Sequence, residues 1–245
     1  MKSVLALIDE KKQKFRHTPF IKFLQDRSID PRQRLAFAPC FAPFVMGFGE
    51  LNKSVWRDET SNDPIQAIIN QHTYEDDGHW LWFLEDMQKL GFNISLNFND
   101  ALSFLWSDET QVSRQTIYKI YQHTHQARPI HKLVVIETIE AIADIFLSTT
   151  EQVTQELKIL TRQEYRYFGI HHFLIDSGHT MNSSATEECI SKILLTADNE
   201  QTSLELVEKV FDIFNLLTSA LLNYAKNHPI EQSQNHKITQ KLIFR

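Results

Sequence analysis

Glycine and cysteine are scarce in this chain, with six and two among 245 residues. So few glycines leave little material for tight turns, and together with seven prolines and 17 phenylalanines they fit a compact, mostly helical protein. Two cysteines, Cys40 and Cys189, cannot build a disulfide framework, and free thiols fit a cytosolic protein. Clustered Lys and Arg are missing, and the net charge is −6, which argues against a phosphate-backbone partner. No apolar run reaches membrane-spanning length. The opening MKSVLALIDEKK meets Asp9, Glu10, Lys11 and Lys12 too early for a signal-peptide core, so a cytoplasmic location is expected. The length suits one helical domain, taken as 1–228, with a polar tail over 229–245 that is held loosely until Leu242-Ile243-Phe244.

What is present reads as helices throughout. Ser3 to Arg16 is amphipathic, and Thr18-Pro19 caps and starts a short helix from Phe20 to Asp26. Asp30-Pro31 opens an apolar run from Leu35 to Trp56; Pro39, Pro43, Gly47 and Gly49 predict a kink, and its all-round apolarity predicts a central position. Pro64 begins a helix running to about Leu90, where Gly91 is a natural stop. Asn99 to Trp106, Gln111 to His125, Pro129 to Phe146, Thr150 to Leu160, Arg162 to about His179, Ala185 to Thr196 and Ser203 to Lys226 complete the expected set. No strand pattern, long linker or heptad seam interrupts them.

Two octapeptides stand out, HTYEDDGH at 72–79 and HFLIDSGH at 172–179, each containing His-x3-Asp-x2-His. On a helix, positions i, i+4 and i+7 lie within roughly a sixth of a turn, so each triplet presents imidazole, carboxylate and imidazole on one face. A His/Asp/Glu set without thiolate points to iron or manganese more than to structural zinc. The outer histidines of one triplet lie roughly 10 Å apart along an ideal helix, too far to surround one ion, so two ions are expected, bridged by a carboxylate from a third helix. Glu140 is assigned that bridge, with Glu137 one turn away, because an unpaired carboxylate in so apolar a helix costs several kcal/mol. Glu50 and Glu75 are weaker candidates beside the site, as are Tyr165 and Tyr167, positioned to pass electrons; ion pairing or packing is the plainer role for each. Trp80 and Phe83 are candidate cavity walls or ordinary core. His123, His125 and His131 straddle Arg128-Pro129 and read as a surface turn.

The set Glu140 plus His172-x3-Asp176-x2-His179, the helix ending in His79-Trp80, and HTPF at 17–20 together resemble the haem-oxygenase-like di-metal oxidases. Within them the chain is most similar to the CADD-like proteins and an iron-containing redox family, over roughly Ser3 to Lys226. The resemblance implies a seven- or eight-helix bundle without haem, commonly a homodimer, that binds two irons or an iron and a manganese. It also implies activation of O2 to oxidise a small organic substrate. The implied ligands are His79, Glu140, His172, Asp176 and His179. One departure is local: the family places a glutamate seven residues before the position of His79, and here that residue is His72, so His72, Asp76 or Glu75 completes the set. Three other readings compete: a TenA-like, thiaminase-type hydrolase using a cysteine, haem binding through a lone histidine such as His17, and a non-catalytic interaction protein braced by metal.

Overall fold

The computed structural model describes residues 1–93, 95–178 and 184–230, with the side chains of 175–178 and 184–187 outside that description. The chain runs through α1 (Lys2–Phe15), α2 (Pro19–Gln25), α3 (Pro31–Arg34), α4 (Ala38–Leu51), α5 (Pro64–Asp76) and α6 (Trp80–Lys89). It continues through α7 (Phe98–Leu105), α8 (Gln111–Thr124), α9 (Pro129–Thr161), α10 (Ile170–Gly178), α11 (Ser184–Ser191) and α12 (Ala197–Asn227). No strand occurs among the described residues, so the protein is all-α. None of the described helices is long and apolar enough to cross a membrane.

Prolines mark the starts. Pro19, Pro31, Pro64 and Pro129 sit in the first turns of α2, α3, α5 and α9, where the missing N–H costs nothing. Asp30 and Asp63 accept the backbone N–H groups of Arg32 and Ile65, both at 2.8 Å. The Thr18 hydroxyl does not cap α2; it donates to the Phe15 carbonyl.

α9 is the axis of the fold. At 33 residues it replaces the two helices that the sequence predicts on either side of Ser148-Thr149-Thr150. Those hydroxyls turn back on the carbonyls of Ile145 and Leu147, so their polar demand is met inside the helix and the methyl groups of Thr149 and Thr150 can be buried. Around α9 lie α12, α1, α2, α3, α5, α8 and α10. α12 lays Leu206, Val210, Phe214, Leu217 and Leu221 into the shared core. Buried Arg34 ties α3 to this axis: it donates to the Leu24 and Ile29 carbonyls and pairs with Glu156.

α4 is apolar and central, as its composition predicts, and it lies along α8. Close approach depends on Gly47, where a Cβ would come within 2.7 Å of the Ile117 side chain. Past Pro43 the helix ends in a π-helical turn, Asn52–Trp56, which places Trp56 wholly inside the core against Phe48. Lys132 of α9 donates to the Val55 carbonyl at 3.0 Å and so holds the turn against the axis.

Two further differences from the sequence reading concern the site. The expected helix from Pro64 to Leu90 is broken at 77–79. Arg57 takes the Thr73 carbonyl and the Asp77 carboxylate, both at 2.8 Å, which draws the end of α5 outward. Gly49 of α4 lets the Asp77 backbone come close, since a Cβ there would lie 3.3 Å from the Asp77 oxygen. The expected helix from Arg162 likewise starts only at Ile170: Arg162 adopts left-handed geometry after α9, and 162–169 form a loop carrying Tyr165 and Tyr167.

Candidate metal centre

α5 and α9 pack side by side, and between them a histidine and two carboxylates converge. His72 and Asp76, one turn apart on α5, meet Glu140 of α9, with one ligand atom from each lying within 4.8 Å of the others. His72 Nε2 is 3.3 Å from Asp76 Oδ2 and 3.8 Å from Glu140 Oε1. Asp76 also reaches the N-cap residue of α6, its Oδ1 lying 3.7 Å from His79 Nδ1. His79 stays within reach of Asp76 across the α5 to α6 break, and Asp76 lies between the two histidines. From α10, His172 adds a fifth group: its Nε2 is 2.9 Å from His79 Nδ1 and its Nδ1 is 2.8 Å from the Tyr167 carbonyl. Because Nδ1–H donates to that carbonyl, Nε2 of the neutral ring carries the lone pair; the tautomer is assigned from this hydrogen bond.

The electrostatics explain why such a cluster fits a cation. Burial pushes the Asp76 carboxyl up to about 8, and the nearby charges of Glu75 and Asp77 push the same way. Burial pushes His72 downward, against the pull of Glu140 and Glu75. Without a cation, both groups are driven toward their neutral forms. Neither ring nitrogen of His72 has a hydrogen-bond partner among the described residues, although the residue is wholly buried. A buried imidazole with no partner is costly, and a metal ion is the group that satisfies it while holding both carboxylates ionised. The donor set is imidazole and carboxylate, which suits a first-row divalent ion, and one such ion can be held by His72, Asp76 and Glu140.

Beyond the cluster the walls become hydrocarbon. A cavity of about 90 Å³ is lined by Asp76, His79, Glu140 and His172 at one end. Phe15, Phe20, Phe41, Phe44, Phe48, Phe146 and Phe214 supply much of the rest. No lysine or arginine lines it among the described residues. Its one hydroxyl-bearing aliphatic side chain, Thr218, donates to the Phe214 carbonyl of its own helix.

The other expected residues fall in several places. Tyr167 and Trp80 line the cavity. Phe83 lies behind the wall, buried against Tyr167 and Phe168. Tyr165 is buried in the loop, its phenol pushed up by burial and hydrogen-bonded to Thr161. Glu75 is half-buried on α5, where it accepts from Gln71. Glu137 is half-buried on α9 and does not line the cavity. Glu50 and His17 are both exposed. The Asp176 side chain and His179 lie outside the described residues, as do 231–245 with Leu242-Ile243-Phe244. Cys40 is buried away from the cavity; its thiol donates to the Glu109 carbonyl and burial pushes it up to about 12, which removes it as a nucleophile. The phenylalanine wall escaped the sequence reading, for which the only signal was the count of 17. No family model matches the chain, and no curated protein matches it either.

Proposed function

We propose that this chain is a non-haem metal oxidase of the haem-oxygenase-like type, using O2 to oxidise a small apolar substrate. The observation that carries the reading is the buried His72, Asp76 and Glu140 group opening directly onto a phenylalanine-walled cavity. In this reading His72, Asp76 and Glu140 would hold one ion, while His79 and His172, with Asp176 and His179 expected from the sequence, would hold a second. Iron, or iron with manganese, would supply the electrons for reduction of O2, which closed-shell organic groups do slowly.

The chain's own residues do the remainder. The Tyr167 carbonyl holds the His172 ring in one tautomer and one orientation. Asp76 would give up its proton on loading, whereas His72, kept neutral by burial, already offers a lone pair, so loading is favoured as pH rises. The phenyl walls exclude water and select against charge, since an ionised group away from the ligand end would meet no counter-charge there. The cavity volume is below the ~150 Å³ of an apolar cavity known to accept benzene. That size suits a short aliphatic group or the end of an alkyl chain more than a whole ring.

The test is anaerobic reconstitution with Fe(II), elemental analysis, and rapid mixing with O2, beside a His72→Ala control. About two irons per chain, falling to about one or fewer in the control, with a transient absorption after O2, support the oxidase. Bound iron that is inert toward O2 sinks it and leaves a bundle braced by metal. An absence of specific binding removes the metal centre altogether.

A further inference from the structure

Asp86 has no place in the ligand set, yet it is fully buried and accepts three consecutive backbone N–H groups. Its Oδ1 takes Arg166 at 2.9 Å, and its Oδ2 takes Tyr167 at 2.8 Å and Phe168 at 3.0 Å. Lys89 flanks it, with Nζ at 3.6 Å from Oδ1. Burial pushes this carboxyl up, while the three N–H groups and Lys89 pull it back.

The peptide groups that Asp86 receives are the ones that hold His172. The Phe168 N–H and the Tyr167 carbonyl belong to one peptide: the first donates to Asp86, and the second accepts His172 Nδ1–H. The Tyr167 N–H and the Arg166 carbonyl belong to the preceding peptide, which donates to Asp86 and accepts the His172 backbone N–H at 3.1 Å. A peptide whose N–H is bonded to a carboxylate has a more electron-rich oxygen, so hydrogen bonds at its two ends strengthen each other. Asp86 also sits on α6, the helix whose N-cap is His79, so a single rigid element places both facing imidazoles.

We infer that Asp86 is a positioning residue for the metal centre, acting on His172 through the Tyr167–Phe168 peptide to fix its tautomer and raise the basicity of Nε2. The arrangement is the carboxylate–histidine–metal triad with a peptide inserted between carboxylate and imidazole. The inference rests on the proposed metal centre, but its first readout needs no metal.

The experiment compares wild type with Asp86→Asn, each folded as judged by circular dichroism. Nitrogen-15 spectra of the His172 ring in metal-free protein report the tautomer, and Co(II) titration reports affinity. Wild type is expected to show Nδ1 protonated and Nε2 bare. Asp86→Asn is expected to show a mixture of tautomers, a shifted Co(II) visible spectrum and 10- to 100-fold weaker binding, the range for loss of a group supporting a ligand. An unchanged tautomer together with unchanged affinity overturns the inference. Should Asp86→Asn not fold, wild type alone decides: on binding Zn(II), the Phe168 amide proton is expected to move downfield as its bond to Asp86 tightens, and a stationary resonance with Zn(II) bound overturns the inference. Wild type that binds neither ion removes the metal centre, and the tautomer comparison then still stands or falls by itself.

Discussion

Replacing Asp76 by asparagine is expected to stabilise the metal-free protein at pH 8 while weakening the metal site that it forms with His72 and Glu140. Burial raises this carboxyl from its ordinary range to about 8. A group whose folded-state pKa is raised contributes stability that is fully present below its unfolded value and is lost as pH rises through the folded one. For Asp76 that window runs from about pH 4 to about pH 8. A displacement of about four units at ~1.4 kcal/mol each sets a ceiling of ~6 kcal/mol. Buried sites respond as though their dielectric were well above that of dry protein, so about 2–4 kcal/mol is the expected loss at pH 8. His72 does not offset it, since its own burial keeps that ring from charging. Asparagine has the same shape without the charge. The variant should therefore melt with wild type near pH 4 and about 5–15 °C above it at pH 8, using ~2–4 °C per kcal/mol for a chain of this size. The assay is thermal denaturation of chelator-treated protein across that range, read as the difference between the two proteins so that other titrations cancel. If Asp76→Asn melts below wild type at pH 8, the carboxylate is held by an ion pair with a protonated His72, and the argument from burial is wrong.

Removing His72 tests the other half of the centre. Metal at about a hundredfold its Kd should stabilise wild type by ~2.7 kcal/mol, a rise in Tm that His72→Ala is expected to lack; an equal rise in the variant places the metal elsewhere. Gly169→Ala drives a Cβ into the Tyr165 carbonyl, a backbone atom that cannot step aside. A loss of more than about 2 kcal/mol and weakened Co(II) binding through displaced His172 are expected, while wild-type stability by urea titration would refute the crowding. Arg34→Met removes the buried guanidinium that serves two carbonyls and Glu156. Breaking a buried pair costs ~3–5 kcal/mol, but Glu156 retains 28% exposure of its side chain and can find water, so about 2–3 kcal/mol is expected. A change below 1 kcal/mol would show that the pair contributes nothing.

Much of the fold was open to reading because helix starts are local events. Pro19, Pro31, Pro64 and Pro129 mark their own positions through a fixed φ and an absent N–H, and Asp30 and Asp63 cap from within two residues. Helix ends were less legible. Ser148-Thr149-Thr150 resembles a break, yet packing in the core favours continuity and the hydroxyls find carbonyls one turn back. The break at 77–79 runs the other way: nothing in EDDGH forbids a helix, and it is Arg57 and the space at Gly49 that end it.

The sequence by itself determined the chemical character of this protein: an all-helical chain carrying a thiolate-free His/Asp/Glu donor set, with His72 and Asp76 one turn apart and therefore on one face. Spacing along a helix is a property of the backbone and needs no partner. Only the tertiary structure decided which groups meet. Glu140 is chosen over Glu137 because α9 turns that position toward α5. Asp86 reaches His172 across 86 positions of chain through contacts that no local pattern contains. Burial is likewise a collective property: the same carboxylate that titrates normally in the unfolded chain is pushed toward its neutral form here by the apolar helices packed around it.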